Sequence, residues 1–157
     1  KKIMNSDQRI GMVLGATLAA GTAALLMRRP QAAAAPLKHI GLPRARACPA
    51  VIHNNTVYLS GQVPDIPTLS TSDIAEQTRQ TLSKIDALLL QCGTDRTRIV
   101  SSQVWVKDIE RDFEGMNEVW NAWVGDDSQP KGVRACVQSP MAREHILVEI
   151  KVIAALP

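Results

Sequence analysis

The sequence predicts an α+β domain in which one sheet carries two helices on one face. Two stretches, 73–92 and 112–124, have apolar residues at helical spacing. Shorter stretches before, between and after them alternate apolar and polar residues, as half-buried strands do. The resulting order is β-β-α-β-α-β-β, and mixing strands and helices in this way is typical of a two-layer α+β domain.

The first pair of predicted strands is a hairpin. Residues 51–53 and 57–60 flank Asn54 and Asn55, and asparagine tolerates the positive φ that a tight hairpin turn needs. Gly61 ends the second strand, and a loop with two prolines leads to the first helix.

Polar caps and glycines mark the ends of both helices. Ser72 and Asp73 can each cap the first helix, and Gly93 is predicted to end it. Asp112 and Gly125 are predicted to start and end the second helix. Residues 99–106 form the strand between them. The second helix carries an aromatic stripe on one face, which we assign to the core: Phe113, Met116, Trp120 and Trp123.

The last stretch, 132–155, contains two alternating segments joined by a loop at 139–144. If the two segments pair with each other, their aliphatic faces must coincide, because a slip of one residue turns every side chain over. Arg134, Cys136 and Glu149 then share the opposite face of the sheet. A cation, a thiol and a carboxylate on one face suggest a site, although a cross-strand ion pair beside a small residue explains the pattern equally well.

Charge is distributed unevenly along the chain. Residues 1–46 carry eight basic side chains and one acidic one, whereas residues 47–157 carry ten basic and fourteen acidic ones, a net charge of −4. An acidic domain argues against a broad nucleic-acid surface. The three cysteines and three histidines show no metal-ligand spacing, so we expect neither a disulfide framework nor a metal site.

The segment from Ile10 to Met27 has 18 residues without a charge and is flanked by arginines. As a helix it would span about 27 Å, close to the thickness of a bilayer. Gly11 and Gly15 form a GxxxG motif that suits close packing against another helix. We favour a retained membrane anchor in residues 1–28. A cleaved targeting peptide and a helix lying on its own domain remain alternatives.

The anchor is followed by a linker at 29–46, rich in proline and alanine, and a domain at 47–157. Several motifs of that domain resemble the Rid family of reactive-intermediate deaminases, also called YjgF-like. They are VIHNNTVYLSGQVP, EQTRQTLSKIDALL, VSSQVWVKDI, FEGMNEVWNAWV and GVRACVQ…LVEIKVIAA. Together these motifs cover nearly the whole domain, but nothing in the first 46 residues belongs to the resemblance.

The resemblance implies a chorismate-mutase-like fold, a homotrimer with clefts between subunits, and hydrolysis of 2-imino or enamino acids to 2-keto acids and ammonia without a cofactor or metal. Arg134 is similar to the family's carboxylate-binding arginine, and Glu149 to the glutamate that positions or activates water. The remaining residues of the implied site line the pocket: Cys136, Ser60, Gly61 and Asn117.

The chain departs from the family in two respects. An aromatic residue that closes the pocket in many enzymatic members is replaced by Ala47, and the hydrophobic anchor is foreign to the family. Two hypotheses follow. The chain is either a membrane-tethered imine deaminase or a non-catalytic accessory subunit of a mitochondrial inner-membrane complex with a vestigial pocket. The basic leader favours mitochondria, although a bacterial membrane also fits. Ribonuclease activity fits the acidic domain poorly.

Overall fold

The computed structural model describes residues 35–41, 46–128 and 130–157. Within these ranges the chain forms a six-stranded mixed sheet and two α-helices, so the predicted α+β class is confirmed. The elements in chain order are β1 Lys38–Ile40, β2 Ala50–His53, β3 Thr56–Leu59, α1 Ile74–Cys92, β4 Ile99–Val106, α2 Ile109–Val124, β5 Val133–Gln138 and β6 Val148–Ala155. Short 3-10 turns precede α1 and β4.

β1 was not predicted, because it lies inside the stretch 29–46 that we expected to be a linker. It pairs antiparallel with β2 through three residues, which places it at one edge of the sheet. The proposed anchor at 10–27 lies outside the described residues. Among the residues that are described, no helix has the length and apolar character needed to cross a membrane.

The local signals for the hairpin and for α1 are confirmed. Asn54 and Asn55 have φ values of 48° and 60°, as the predicted turn requires. The Asp73 side chain accepts a hydrogen bond from the backbone N–H of Glu76 at 2.8 Å, and Gly93 ends the helix at φ 83°. Asparagine and glycine adopt positive φ at lower cost than other residues.

The predicted start of α2 is wrong. The helix begins at Ile109, and Asp108 is its cap, accepting a hydrogen bond from the backbone N–H of Arg111 at 3.1 Å. Asp112 lies one turn inside the helix, buried, and its carboxylate accepts two hydrogen bonds from the Arg111 guanidinium. The predicted end at Gly125 is confirmed.

The strand order is β1-β2-β3-β6-β4-β5, and this corrects the predicted pairing of the last two strands. β5 and β6 do not pair with each other. β4 lies between them, antiparallel to β6 and parallel to β5. A parallel pair needs a crossover connection, and α2 supplies it between β4 and β5.

The register reverses the predicted faces. Val104 of β4 pairs with both Cys136 and Ile150, so the even positions of β5 share a face with the aliphatic row of β6. Glu149 pairs with Trp105 on the opposite face. The apolar odd positions of β5 point away from the core, and this is why matching aliphatic faces led to the wrong result.

Both helices pack on the face that carries Val104 and Ile150, which we call the helix face. The core between the sheet and the helices is aliphatic, with Leu82, Ile85 and Met116 completely buried. Trp120 is also buried, and Phe113 and Trp123 pack against the core, as the aromatic stripe predicted. We call the other surface of the sheet the open face. Its apolar side chains are exposed to solvent: Val133 is 71% exposed, Val137 43% and Tyr58 42%.

Candidate functional site

Arg134 begins the candidate site, at the start of the edge strand β5. It pairs with Ser102 of β4, so its side chain lies on the helix face beside α2. Its Nη1 donates a hydrogen bond to Asn117 Oδ1 at 2.9 Å, and its Nη2 lies 3.1 Å from the sulfur of Met116. The structure therefore brings together two of the predicted site residues, Arg134 and Asn117.

Trp120 lies one helical turn after Asn117 and covers the face of the guanidinium. The Arg134 guanidinium carbon lies 4.5 Å from the centroid of the Trp120 ring, a cation–π contact. Arg134 Nε is buried and has no hydrogen-bond partner among the described residues. Burial lowers the pKa of Arg134, but a guanidinium remains charged at neutral pH. The site therefore holds a fixed cation with an unused donor.

Cys136 lies two residues further along β5, on the same face as Arg134. Its thiol is half-buried, and burial raises the pKa of Cys136, while the positive charge of Arg134 acts in the opposite direction. The net direction is upward, so the thiol is protonated at neutral pH. Cys136 is thus suited to line a pocket and is a weak nucleophile.

The other predicted residues form a second group at the end of β3. Ser60 Oγ donates a hydrogen bond to the carbonyl of Cys48 at 2.6 Å. Gly61 lies against the carboxylate of Glu149, and a methyl group at this position would overlap the carboxylate oxygen. Gly61 therefore allows the Glu149 carboxylate to lie directly against the backbone.

A surface cleft of about 620 Å³ adjoins this second group. Its lining includes Ala47, Cys48, Ser60 and Gly61, with Lys84 and Arg143 on other segments. Ala47 is exposed at the position where the family resemblance implies an aromatic lid. Its methyl group covers little of the cleft, so the cleft is open on this side.

The structure does not bring the two groups together within one chain. Arg134 on β5 and Glu149 on β6 are separated by β4, which puts the two strands about 9–10 Å apart. The two residues are also offset by three positions along the sheet, because Arg134 pairs with Ser102 and Glu149 with Trp105. They also lie on opposite faces of the sheet. The prediction that Arg134, Cys136 and Glu149 share one face is therefore wrong for Glu149, although the placement of Arg134 with Cys136 is confirmed.

Sequence reasoning missed the roles of Trp120 and Met116, which we assigned to the core alone. Both contact the Arg134 guanidinium while remaining buried. The available signal was the spacing of Asn117 and Trp120, since residues three apart lie on the same side of a helix. In the part of the chain that the structure describes, no cluster of three or more His, Cys, Asp or Glu side chains is placed to hold a metal ion.

The sequence of the domain is similar to those of known proteins. Residues 42–156 match the family described as Endoribonuclease L-PSP. A RutC family protein from Haemophilus influenzae is 37% identical over 113 residues, which cover 72% of this chain and 93% of that protein. The RutC family protein YoaB from Escherichia coli is 38% identical over 112 residues, which cover 71% and 92% of the two chains.

Solved structures show the same fold. NMB1025 from Neisseria meningitidis, described as a member of the YjgF protein family, has a TM-score of 0.70 at 34% identity and covers 78% of this chain and 96% of its own. YyfA from Yersinia pestis, described as a protein of unknown function of the Rid family, has a TM-score of 0.67 at 29% identity, with coverage of 77% and 100%. The chain described here belongs to this family, known as Endoribonuclease L-PSP, RutC, YjgF or Rid.

Proposed function

We propose that the domain hydrolyses 2-imino or enamino acids to 2-keto acids and ammonia. The observation that carries the proposal is the state of Arg134. Its guanidinium is stacked on Trp120 and oriented by Asn117, and its buried Nε donor is unused. No carboxylate of the described residues forms an ion pair with it. A planar fork held in this way suits the carboxylate of a small substrate.

Glu149 and Ser60 supply the remaining chemistry in this proposal. Water adds to the carbon of the C=N bond, and Glu149 accepts a proton from that water. An enamino acid enters the same step after a proton adds to its carbon and gives the protonated imine, and addition of water gives a neutral carbinolamine. Glu149 returns its proton to the carbinolamine nitrogen, the C–N bond breaks, the hydroxyl proton passes to water, and ammonia and the keto acid leave. The Ser60 hydroxyl donates its hydrogen bond to the Cys48 carbonyl. The lone pairs of Oγ are therefore available to accept a hydrogen bond from the imine N–H or from water.

A homotrimer would unite the two groups of residues. In this arrangement the Arg134 group of one subunit faces the Ser60, Gly61 and Glu149 group of its neighbour. Two observations support this part of the proposal. The two groups lie on opposite faces of the sheet in one chain, and the open face exposes Val133, Val137 and Tyr58, an apolar surface suited to burial between subunits.

Turnover tests the proposed activity. The full chain is added to an amino-acid oxidase that releases imino acids, and semicarbazide traps whatever imine remains. Wild type should suppress trapping, and Arg134→Ala should not. Arg79→Ala is the matched control, since Arg79 is an exposed arginine on α1 whose one ion pair among the described residues is with Glu76. Full trapping with folded, trimeric wild type would show that the pocket is inactive towards these imines and would favour the accessory-subunit hypothesis.

Subunit mixing tests the shared site. Arg134→Ala and Glu149→Gln chains are each expected to be inactive. In randomly mixed trimers, about a quarter of the sites would combine an intact Arg134 with an intact Glu149 from the neighbouring subunit, so about a quarter of the wild-type activity should return. If both residues served from the same chain, mixing would restore nothing.

The membrane anchor at 10–27 and the mitochondrial inner-membrane location are part of the proposal and rest on the sequence alone. Carbonate extraction of membranes from cells that produce the full chain tests attachment, and deletion of residues 1–28 should release the domain. Loss of co-purifying membrane proteins on the same deletion would support the accessory-subunit role.

The proposal does not include a ribonuclease activity. Residues 47–157 carry a net charge of −4, and we therefore expect that this domain does not bind RNA in a salt-dependent way.

A further inference from the structure

A second cleft opens beside Arg134, at the C-terminal end of α2. It has a volume of about 310 Å³, and Arg134 itself forms part of its wall. Trp120, Trp123, Val124 and Ile99 supply its apolar surface. The volume equals that of roughly ten water molecules in the liquid, enough for an aromatic side chain.

The wall formed by Trp123 is held in place by polar contacts. Its indole N–H donates a hydrogen bond to Asp86 at 2.9 Å, and Arg96 lies over the ring with its guanidinium carbon 5.2 Å from the centroid. Arg96 also donates to the Trp123 carbonyl at 3.0 Å. Trp120 packs on Trp123 with ring centroids 5.3 Å apart. These contacts make the cleft preformed, which lowers the cost of binding an apolar group.

One cationic side chain of the cleft is available to bind an anionic group of a ligand. The cleft has three cationic side chains, but Arg96 is paired with Asp86 at 2.6 Å and Lys131 with Asp127 at 3.0 Å. Arg134 remains without an acidic partner among the described residues. The lining therefore fits a ligand with one carboxylate and an apolar body better than it fits a dicarboxylate.

We infer that the Trp120–Trp123 cleft receives the side chain of the substrate and selects 2-imino acids with aromatic or other large apolar side chains. This inference rests on the proposed function, because it places the substrate carboxylate on Arg134. One methylene more or less in an apolar pocket changes selectivity about 10–200-fold, and phenylalanine exceeds alanine by a whole ring. We expect kcat/KM for the imine of phenylalanine to exceed that for the imine of alanine at least tenfold.

The inference is tested with variants that place a bulky side chain at the half-exposed rim of the cleft. Val124→Phe should reduce the ratio of the two kcat/KM values at least tenfold, because the added ring slows the phenylalanine imine much more than the alanine imine. Lys131→Trp fills the cleft from the other side and serves as a second variant if Val124→Phe does not fold. Leu90→Phe adds the same ring at an exposed position on α1 and is the control. A ratio near one in wild type, equal slowing of both imines, or preference for the imine of aspartate would overturn the inference.

Binding of the product keto acids separates this inference from the proposed function. Calorimetry compares phenylpyruvate with pyruvate on the full chain. If no imine is turned over but phenylpyruvate binds at least tenfold more tightly, and Val124→Phe abolishes that difference, the cleft assignment stands and the hydrolase proposal fails. If neither keto acid binds and no imine is turned over, both fail.

Discussion

The guanidinium carbon of Arg134 lies 4.5 Å above the Trp120 indole, so an edge strand and a helix together fix one cation. The pair joins β5 to α2 at the point where the strand is unpaired on its outer side in the described part of the chain. The cation–π contact holds the guanidinium over the ring, while the hydrogen bond from Nη1 to Asn117 Oδ1 fixes the position of one of its nitrogens. Preorganisation of this kind strengthens the binding of a carboxylate.

Arg134→Lys is expected to lower kcat/KM about 100-fold, although the charge is kept. An ammonium cannot offer a bidentate fork or stack as a plane, and a hydrogen bond to a charged group is worth about 1.5–3 kcal/mol. The semicarbazide trapping assay measures the loss, with Arg79→Lys as control. A change of less than threefold would show that Arg134 acts only as a point charge.

Replacement of Asn117 should distinguish orientation from charge. Asn117→Ala removes one hydrogen bond to Arg134 and should lower kcat/KM about tenfold. Asn117→Asp places a carboxylate where the amide oxygen lies, 2.9 Å from the guanidinium, so that it neutralises Arg134 and repels the substrate carboxylate. The loss should exceed that of the alanine variant at least tenfold and appear mainly in KM. Equal losses in the two variants would contradict this account.

Two glycine-to-alanine changes should affect different properties: one should lower activity and the other should lower stability. At Gly61 the added methyl meets the far end of the flexible Glu149 side chain, which swings away, so activity falls at least tenfold while the melting temperature changes little. At Gly132 the methyl would lie 2.5 Å from the carbonyl oxygen of Ile99 and 2.7 Å from that of Val100. Backbone cannot move aside cheaply, so overpacking of about 1–3 kcal/mol should lower the melting temperature by at least about 4 °C.

Calorimetry and trapping on the same samples check this pair. A Gly61→Ala variant that lost stability but kept full activity would separate Glu149 from the reaction. A Gly132→Ala variant with unchanged melting temperature would show that the start of β5 tolerates displacement.

The reactivity of Cys136 should depend on Arg134. Burial raises the pKa of this thiol, and the guanidinium charge partly opposes the shift by stabilising the thiolate. Removing that charge in Arg134→Met, which keeps much of the side-chain volume, should therefore raise the pKa further and slow alkylation at a given pH. Iodoacetamide rates between pH 7 and 10, measured in a Cys48→Ser, Cys92→Ser background, check the direction. Faster alkylation of the methionine variant would contradict it.

The same shift has a consequence for stability. Because the folded-state pKa of Cys136 lies above the unfolded value, its contribution to the free energy of unfolding is fully present below the unfolded pKa. It is lost as the pH rises through the folded pKa. The difference in free energy of unfolding between wild type and Cys136→Ala should therefore be constant around neutral pH. It should shrink as the pH becomes alkaline. Chemical denaturation at a series of pH values measures this.

Much of the fold could be predicted from residues that act locally. Three of these local signals depend on one or two neighbouring residues each. The hairpin turn uses the positive φ of Asn54 and Asn55, α1 begins at the hydrogen-bonding side chain of Asp73, and it ends at Gly93, which adopts positive φ. Asp108 and Asp112 show the limit of such signals. Both are good caps, and the structure uses Asp108, because the helix begins at the next residue, Ile109, shortly after β4.

The sequence by itself determined the two-layer class and the helix face of α2, because periodicity is a property of neighbouring residues. The resemblance of its motifs to a known family marked the candidate site residues: Arg134, Asn117, Cys136, Ser60, Gly61 and Glu149. The tertiary structure decided that β4 separates β5 from β6, that Arg134 stacks on Trp120, and that Glu149 lies on the opposite face. Strand order and register depend on contacts between residues far apart in the chain, and an alternating strand can satisfy either face until its neighbours are chosen.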